Sequence, residues 1–298
     1  MAPPTRTKSR WETWWKQARV SGLSAARWAR WATEPAAFSA PVLAPDATAF
    51  PELVWRRAIP IARRDPHATP LFEEGKRHNL RLAQPAFDGI LLGPDRTFSF
   101  WRTLGEATAT RGFRHGMELN GGCVVPAIGG GLCLLSNSLY AMACELSCEI
   151  VERYGHSISA VPLVAGETWG LDATVFYPHI DLRLRAPRPL RLGVTVTADE
   201  LIVEARAAQP WPERVEISAR DERTLRDGAD EYRLNRLVRR RYRGETLLGE
   251  EIIADNRKRM MIAEEAGRSC LTCGDEACHT RPKDVAQLIV ANDRHRRA

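Results

Sequence analysis

The spacing of hydrophobic residues changes once along this chain, and the change restricts the fold more than any other feature. A stripe with the spacing of one helix face follows Gly131 and consists of Leu135, Leu139, Met142 and Leu146. Beyond residue 170 the period becomes two, as in Leu190, Leu192, Val194 and Val196. The motif TADE then predicts a hairpin into a second alternating segment. A central helix packed on a mostly antiparallel sheet, the α+β class, is the fold that this order predicts.

The segments on either side of this region predict further elements and a division of the chain. A helix is expected from about residue 72 to Pro85, and a late hairpin is expected around Gly244. We expect a Trp-rich basic segment over residues 1–36, a Pro- and Ala-rich linker over 37–70 and a core domain over 71–206. A β-hairpin extension over 207–262 and a Cys-rich tail over 263–298 complete the predicted organisation.

Composition is that of an ordinary globular protein. The 298 residues are 44% hydrophobic and 27% charged, with a formal net charge of +6. No apolar run approaches the 18 residues that a spanning helix needs, and the first residues lack the pattern of a signal peptide. Seven cysteines, an odd number, do not indicate a disulfide framework in a chain of this length. We therefore expect a cytoplasmic protein with mostly reduced thiols. A peripheral position at the inner membrane face is the alternative that the N-terminal segment leaves open.

Five tryptophans with helical spacing lie among basic residues near the start of the chain: Trp11, Trp14, Trp15, Trp28 and Trp31. One interpretation is a helix over residues 11–31 that lies on an anionic membrane. The other is a helix that docks its tryptophans on the core domain. The sequence leaves both open.

The motif GGGLC places Cys133 directly after Gly129, Gly130, Gly131 and Leu132, at the start of the predicted helix. Glycine loses much conformational entropy on folding, so such a run indicates a turn with a special backbone conformation. Unsatisfied N–H groups in the first helical turn favour a thiolate, and those around Gly131 and Leu132 could hold an oxyanion. These four residues, together with Asn137, are the candidate substrate contacts.

A base and an acid for such a thiol follow the helix in the chain. His156 in ERYGHS is the candidate general base, and Asp172 or Asp181 is the candidate orienting acid. We expect His156 on a strand and the acid on the next strand. The alternative is that Cys133 is a small core residue and that His156 is simply hydrogen-bonded.

The tail carries a second cluster of possible metal ligands, in the motif SCLTCGDEACHTR. Cys270, Cys273, Cys278 and His279 could bind zinc or an iron–sulfur cluster, since C-x2-C is a common half-site. A second spaced pair is missing, so a redox pair or a plain thiol cluster is the alternative. The basic run at residues 236–243 alternates with apolar residues, which favours a strand with a solvated basic face and not nucleic-acid binding.

Several motifs in order resemble the VanW family: FSFWRTLGEATATRGFRHGMELNGG, GGGLCLLSN, ERYGHS and DATVFYPHIDLRLR. The resemblance implies an association with peptidoglycan and glycopeptide resistance. In some secreted relatives the domain is implicated as a cysteine-dependent L,D-transpeptidase, whose cysteine corresponds to Cys133. The family usually has glutamine after this cysteine, whereas this chain has Leu134.

Three functional hypotheses follow. The first is an enzyme that acts on an acyl or amide bond in a peptidoglycan-related peptide through Cys133. The second is a non-catalytic module of the same fold that recognises a cell-wall precursor or a partner protein. The third is a metal- or redox-linked accessory protein that uses the cysteines of the tail.

Overall fold

The computed structural model describes residues 10–33, 47–62, 70–120, 123–159, 168–228 and 230–261. The candidate metal ligands Cys270, Cys273, Cys278 and His279 lie outside these ranges. The helices are α1 (Arg10–Thr33), α2 (Pro70–Phe87), α3 (Phe100–Leu104) and α4 (Cys133–Glu145), with short 3-10 helices at Ala47–Ala49 and Ala109–Arg111. The strands are β1 (Glu52–Pro60), β2 (Leu91–Leu92), β3 (Phe98–Ser99), β4 (His115–Asn120), β5 (Cys123–Ile128), β6 (Glu149–Glu152), β7 (Ile158–Ser159), β8 (Arg183–Arg185), β9 (Leu190–Val196), β10 (Glu200–Ala207), β11 (Arg214–Asp227), β12 (Asp230–Arg243) and β13 (Thr246–Met260).

The strands form four sheets, and this arrangement confirms the α+β class. Their orders are β1-β10-β9-β2, β11-β12-β13-β7, β3-β8-β6 and β4-β5. Within the described ranges every pairing of these strands is antiparallel except that of β13 with β7. Both predicted hairpins, β9–β10 and β12–β13, are confirmed.

Helix α4 lies in the middle of the core. Its predicted stripe is confirmed, because Leu135, Leu139, Met142 and Leu146 are each at most 2% exposed. The helix packs against β1 and β10 on the first sheet and against β6 and β11 on two others. A helix surrounded by sheets cannot shift without disturbing all of them. Its first residue, Cys133, is therefore held in a fixed place at one end of the core.

Two expectations about the first third of the chain are wrong. Residues 52–60 are not linker but form β1, an edge strand whose Ile59 is buried and which pairs with β10 along its length. Helix α2 does not end at Pro85 but continues to Phe87. Pro85 lies exposed in the last turn, where it has no N–H to bond the carbonyl of Arg81, and the helix continues for two residues beyond it.

The C-terminal strands are part of the same core and extend beyond the predicted hairpin. Strand β11 pairs with β12 in addition to the β12–β13 hairpin. The guanidinium of Arg239 on β12, 4% exposed, donates hydrogen bonds to the carbonyl groups of Cys144 (3.2 Å) and Cys148 (3.1 Å). A cation at the C-terminal end of a helix is electrostatically favourable. This sheet therefore secures the end of α4 that lies opposite Cys133.

Helix α1 is docked on the domain near Tyr177. Arg27 is 7% exposed and pairs through both terminal nitrogens with Glu152. The rings of Trp28 and Trp31 lie 5.9 and 6.2 Å from that of Tyr177. Trp31 packs against the core, so the docking interpretation is confirmed for Trp31, whereas Trp28 is half exposed. The side chains of Trp11, Trp14 and Trp15 are outside the described part. No helix in the described ranges has the length and apolar character that a membrane span requires.

Candidate active site

The three glycines before Cys133 form a turn that other residues could not adopt. Gly129 and Gly131 have φ angles of 77° and 97°, in the left-handed region. A Cβ atom on Gly130 would overlap the backbone of Gly116, and one on Gly131 would overlap the side chain of Lys76. Backbone freedom and close packing therefore both require glycine here, as the sequence predicts.

The backbone N–H groups at the start of α4 are only partly occupied. The N–H groups of Leu134 and Leu135 donate to the carbonyl groups of Gly131 and Leu132, each at 3.0 Å, and that of Leu132 donates to Gly129 at 3.4 Å. Within the described part of the chain, the N–H groups of Gly131 and Cys133 have no acceptor. The expected oxyanion donors therefore change in one respect: Cys133 takes the place of Leu132.

Cys133, His156 and Asp172 come together in the order nucleophile, base and acid. The Nδ1–H of His156 donates to Oδ2 of Asp172 at 2.5 Å, and the backbone N–H of His156 donates to the same oxygen at 2.9 Å. Nε2 is thus the ring nitrogen left to interact with the half-buried thiol, which lines the same cavity. Neither partner lies on a strand as expected: His156 follows β6 in a loop, and Asp172 follows the turn at Gly170.

The electrostatics favour a thiolate–imidazolium pair. Burial alone would raise the pKa of Cys133, but the hydrogen bond and the charge of His156 outweigh it and lower that pKa. Burial would likewise lower the pKa of His156, but hydrogen bonds to Asp172 and Cys133 raise it to about 9. Asp172 has a pKa well below its usual range, because hydrogen bonding to His156 and the charge of Lys258 overcome its burial. Each group thus favours the charged form of its neighbour.

Residues of α4 hold the segment that carries Asp172 against the helix. The hydroxyl of Ser136 donates to the carbonyl of Ala173 at 2.6 Å, and Oδ1 of Asn137 accepts from the N–H of Ala173 at 2.8 Å. Next to it, the hydroxyl of Thr174 lies 3.8 Å from Sγ of Cys133. Asn137, a predicted substrate contact, lines the cavity. Its amide oxygen is bound to the backbone of Ala173 and so holds the segment that carries Asp172 in place.

Asp181, the alternative acid, is at a different place. It is fully buried, and its carboxylate accepts hydrogen bonds from the hydroxyl of Ser99 (2.5 Å) and the backbone N–H of Trp101 (3.1 Å). Burial raises its pKa to about 6. Asp181 thus stabilises the start of α3, and Asp172 is the acid that contacts His156.

A cavity of about 600 Å³ opens onto the thiol. Its lining includes the predicted contacts Gly129, Gly130, Gly131, Leu132 and Asn137, together with the three residues of the Cys133 site. Aromatic side chains form part of its wall: Trp101, Trp169, Phe176 and Tyr177. This volume suits a peptide-sized or smaller ligand.

The other described thiols lack these features. Cys144 and Cys148 are fully buried, and burial raises the pKa of each to about 12. In the described ranges no three side chains of the His, Cys, Asp and Glu types are grouped for a metal ion. A buried, charged Cys–His–Asp site beside free N–H groups is typical of proteins that use a thiol as a nucleophile.

Comparison with known proteins supports the resemblance over the middle of the chain. Residues 75–206 match the family model described as VanW like protein, so the chain carries a VanW-like domain and the resemblance is confirmed. Over 131 residues the chain is 32% identical to the Vancomycin B-type resistance protein VanW of Enterococcus faecalis, which covers 44% of this chain and 48% of that protein. It is also 32% identical over 112 residues to the Uncharacterized protein YoaR of Bacillus subtilis, covering 38% of this chain and 36% of that protein.

The chain thus spans half or less of the length of these curated relatives. No solved structure matches the chain significantly.

Two cations that lie behind Cys133, His156 and Asp172, the triad of this site, were not predicted from the sequence. Nζ of Lys258 on β13 donates to Oδ1 of Asp172, and Arg153 donates to the carbonyl of Asp172 at 2.7 Å. Lys258 occurs in a strand that alternates charged residues, where a solvated lysine is the usual expectation. Arg153 lies three residues before His156, and this proximity was the one available signal.

Proposed function

We propose that this protein is a cysteine-dependent acyl-transfer enzyme that acts on an acyl or amide bond of a peptidoglycan-related peptide. The observation that carries the proposal is that Cys133 lines one cavity with His156, whose imidazole is oriented by its hydrogen bond to Asp172. The Enterococcus faecalis relative is named for vancomycin resistance, and a peptidoglycan-related peptide is the substrate class that the family resemblance implies. A cytoplasmic location is part of the proposal, and the peptide of a precursor would then be the substrate.

The geometry supports a two-step reaction. The thiolate of Cys133 attacks the carbonyl carbon to form a C–S bond, and the N–H groups of Gly131 and Cys133 donate hydrogen bonds to the oxygen on which negative charge develops. When this intermediate collapses, the C–N bond breaks and the imidazolium of His156 gives its proton to the leaving amine. An acceptor amine or water then attacks the thioester, His156 takes its proton and the thiolate is released.

Leu134 favours a second candidate, a non-catalytic module that binds the same class of peptide. Its side chain is 6% exposed within the hydrophobic core and has no polar atom that could donate to an intermediate. Under the enzymatic proposal, the backbone N–H of Cys133 must supply part of that stabilisation.

Incubation with peptidoglycan stem peptides, followed by intact-protein mass spectrometry, tests the enzymatic proposal. We expect an acyl adduct that maps to Cys133, is absent in Cys133→Ala and is retained in Cys144→Ala. Cys144 is the matched control because it is a thiol of the same helix whose pKa burial raises to about 12. If the peptides bind wild type and Cys133→Ala equally in calorimetry and give neither adduct nor product, the module is a binder. If none binds, the substrate class is wrong.

A further inference from the structure

The wall behind the triad is built by strands that lie outside the VanW-like match. Strands β12 and β13 span residues 230–260, whereas the match ends at residue 206. They contribute three buried polar residues to the site: Asn235, Asn256 and Lys258, which are 1%, 3% and 7% exposed. Buried polar groups are costly unless they are paired, so their presence needs a physical reason.

The two asparagines fix the turn before Asp172. Asn235 donates to the carbonyl of Trp169 at 3.1 Å, and Asn256 donates to Oδ1 of Asn235 at 2.9 Å. A Cβ atom on Gly170 would overlap the amide of Asn256, so the turn lies directly against this pair. The C-terminal sheet therefore determines where the chain enters the Asp172 segment.

Lys258 acts on the carboxylate itself. Its ammonium donates to Oδ1 of Asp172, while Oδ2 of the same group accepts both hydrogen bonds from His156. Each oxygen thus has its own partner, which fixes the rotation of the carboxylate. The ammonium also lies 5.2 Å from the centre of the Trp169 ring, an arrangement that favours a cation.

Arg153 does not duplicate this contact. Its Nε donates to the carbonyl of Asp172 (2.7 Å), and its terminal nitrogen donates to Gly170 (2.8 Å) and to Asn256 (3.1 Å). The same nitrogen is 3.5 Å from Oδ1 of Asp172, at the limit of a hydrogen bond. The charged groups that face Asp172 are thus His156, Lys258 and Arg153, and Lys258 is the one bound directly to the free oxygen.

We propose that Lys258 is a positioning residue of this site, which holds the Asp172 carboxylate charged and aimed at His156 and so maintains the reactive state of Cys133. The proposal rests on the thiol-based function proposed above. Because Lys258 is on strand β13, the proposal makes the C-terminal sheet a functional part of the site. This sheet lies beyond the end of the family match. Without the ammonium, Oδ1 keeps only the long 3.5 Å contact with Arg153, and the carboxylate can rotate away from the imidazole.

The test compares Lys258→Met, Lys258→Gln and Lys258→Arg by the pH profile of iodoacetamide alkylation at Cys133, with peptide mapping by mass spectrometry. We expect Lys258→Met to move the profile upward, with alkylation at neutral pH about tenfold slower for each unit of that shift. Lys258→Gln keeps a donor but loses the charge, and should lie between Met and wild type. Lys258→Arg restores a cation and should recover most of the rate.

Arg257→Met is the matched control, since Arg257 precedes Lys258 on β13 but is half exposed and pairs with Asp227. It removes the same charge and should leave the profile unchanged. Urea unfolding reports which variants fold. An unchanged profile in a folded Lys258→Met protein overturns the proposal. If that variant does not fold, a Gln profile equal to that of wild type overturns it.

Alkylation needs no substrate, so this outcome is separate from that of the acyl-enzyme assay. A shifted profile without an acyl adduct retains the role of Lys258 and rejects the enzymatic proposal. An adduct together with an unshifted profile retains the enzymatic proposal and rejects the role of Lys258.

Discussion

Three cysteines in and just after α4 show how far the surroundings of a residue decide its chemistry. Cys144 and Cys148 lie among apolar side chains, and burial raises the pKa of each to about 12. Cys133 is at the first turn of the same helix, and the hydrogen bond and charge of His156 lower its pKa. A thiolate is the nucleophilic form of cysteine, so these opposite pKa shifts favour Cys133 over Cys144 and Cys148 as a nucleophile.

Alkylation of the native protein should therefore be selective within this helix. We expect Cys133 to react with iodoacetamide with a midpoint below the ordinary pKa of a cysteine thiol, about 8.5. Cys144 and Cys148 should react only after unfolding. His156→Gln should move the Cys133 midpoint upward, because the cation that favours the thiolate is lost. Above pH 9, near the pKa of His156, the imidazolium loses its proton and turnover should fall although the thiolate persists. Equal rates for the three cysteines would refute the activated thiol.

The glycine turn supports a second prediction at this scale. Alanine at Gly131 must adopt a φ near 97° and overlaps Lys76, and strain of this kind costs about 1–3 kcal/mol. We expect Gly131→Ala to lower the urea midpoint and also the alkylation rate of Cys133. Leu135→Ala is the control: it should cost about 2–5 kcal/mol through lost packing and leave the rate nearly unchanged in the folded fraction. A neutral result for Gly131→Ala in both assays would contradict the constrained turn.

At the scale of elements, α1 combines a docked side with an exposed one. Arg27 is paired with Glu152 and Trp31 lies against Tyr177, whereas Trp28 is 51% and Leu23 46% exposed. Tyr177 also lines the cavity, so the helix lies beside the wall of the site. Exposed apolar residues on a basic helix favour the interpretation that α1 lies on an anionic membrane, which we propose here. The docked residues explain why the helix has a fixed place.

Vesicle binding tests this proposal without removing the helix. We expect Leu23→Ala combined with Trp28→Ala to weaken association with vesicles that contain phosphatidylglycerol. Stability should change by no more than about 0.5 kcal/mol, because both side chains are largely exposed. Leu225→Ala on β11, which is 44% exposed, is the control and should bind as wild type does. Equal binding by all three proteins would exclude α1 as the contact with the membrane.

For the whole molecule, the sequence predicts what depends on local pattern. The α4 stripe and the β9–β10 and β12–β13 hairpins follow from periodicity and turn residues, and Cys133, His156 and Asp172 follow from motif order. Strand β1 was not predicted, because it lies in a Pro- and Ala-rich region and pairs with β10, which is far away in the chain. Lys258 and the rejection of Asp181 likewise depend on which distant segments pack together, and no local spacing carries that information.

The long separation within the site also determines when its chemistry can begin. The thiol and its partners come from residues 133, 156 and 172, and the pair of Asp172 and Lys258 closes a loop of 86 residues. Closing such loops is entropically costly, and contacts between distant residues form slowly during folding. Under the role proposed for Lys258, a chain in which β13 has not yet paired with β12 lacks the ammonium at Asp172 and carries a thiol closer to the ordinary kind. The order of folding then protects the thiol, since the reactive thiolate forms only when this strand is in place.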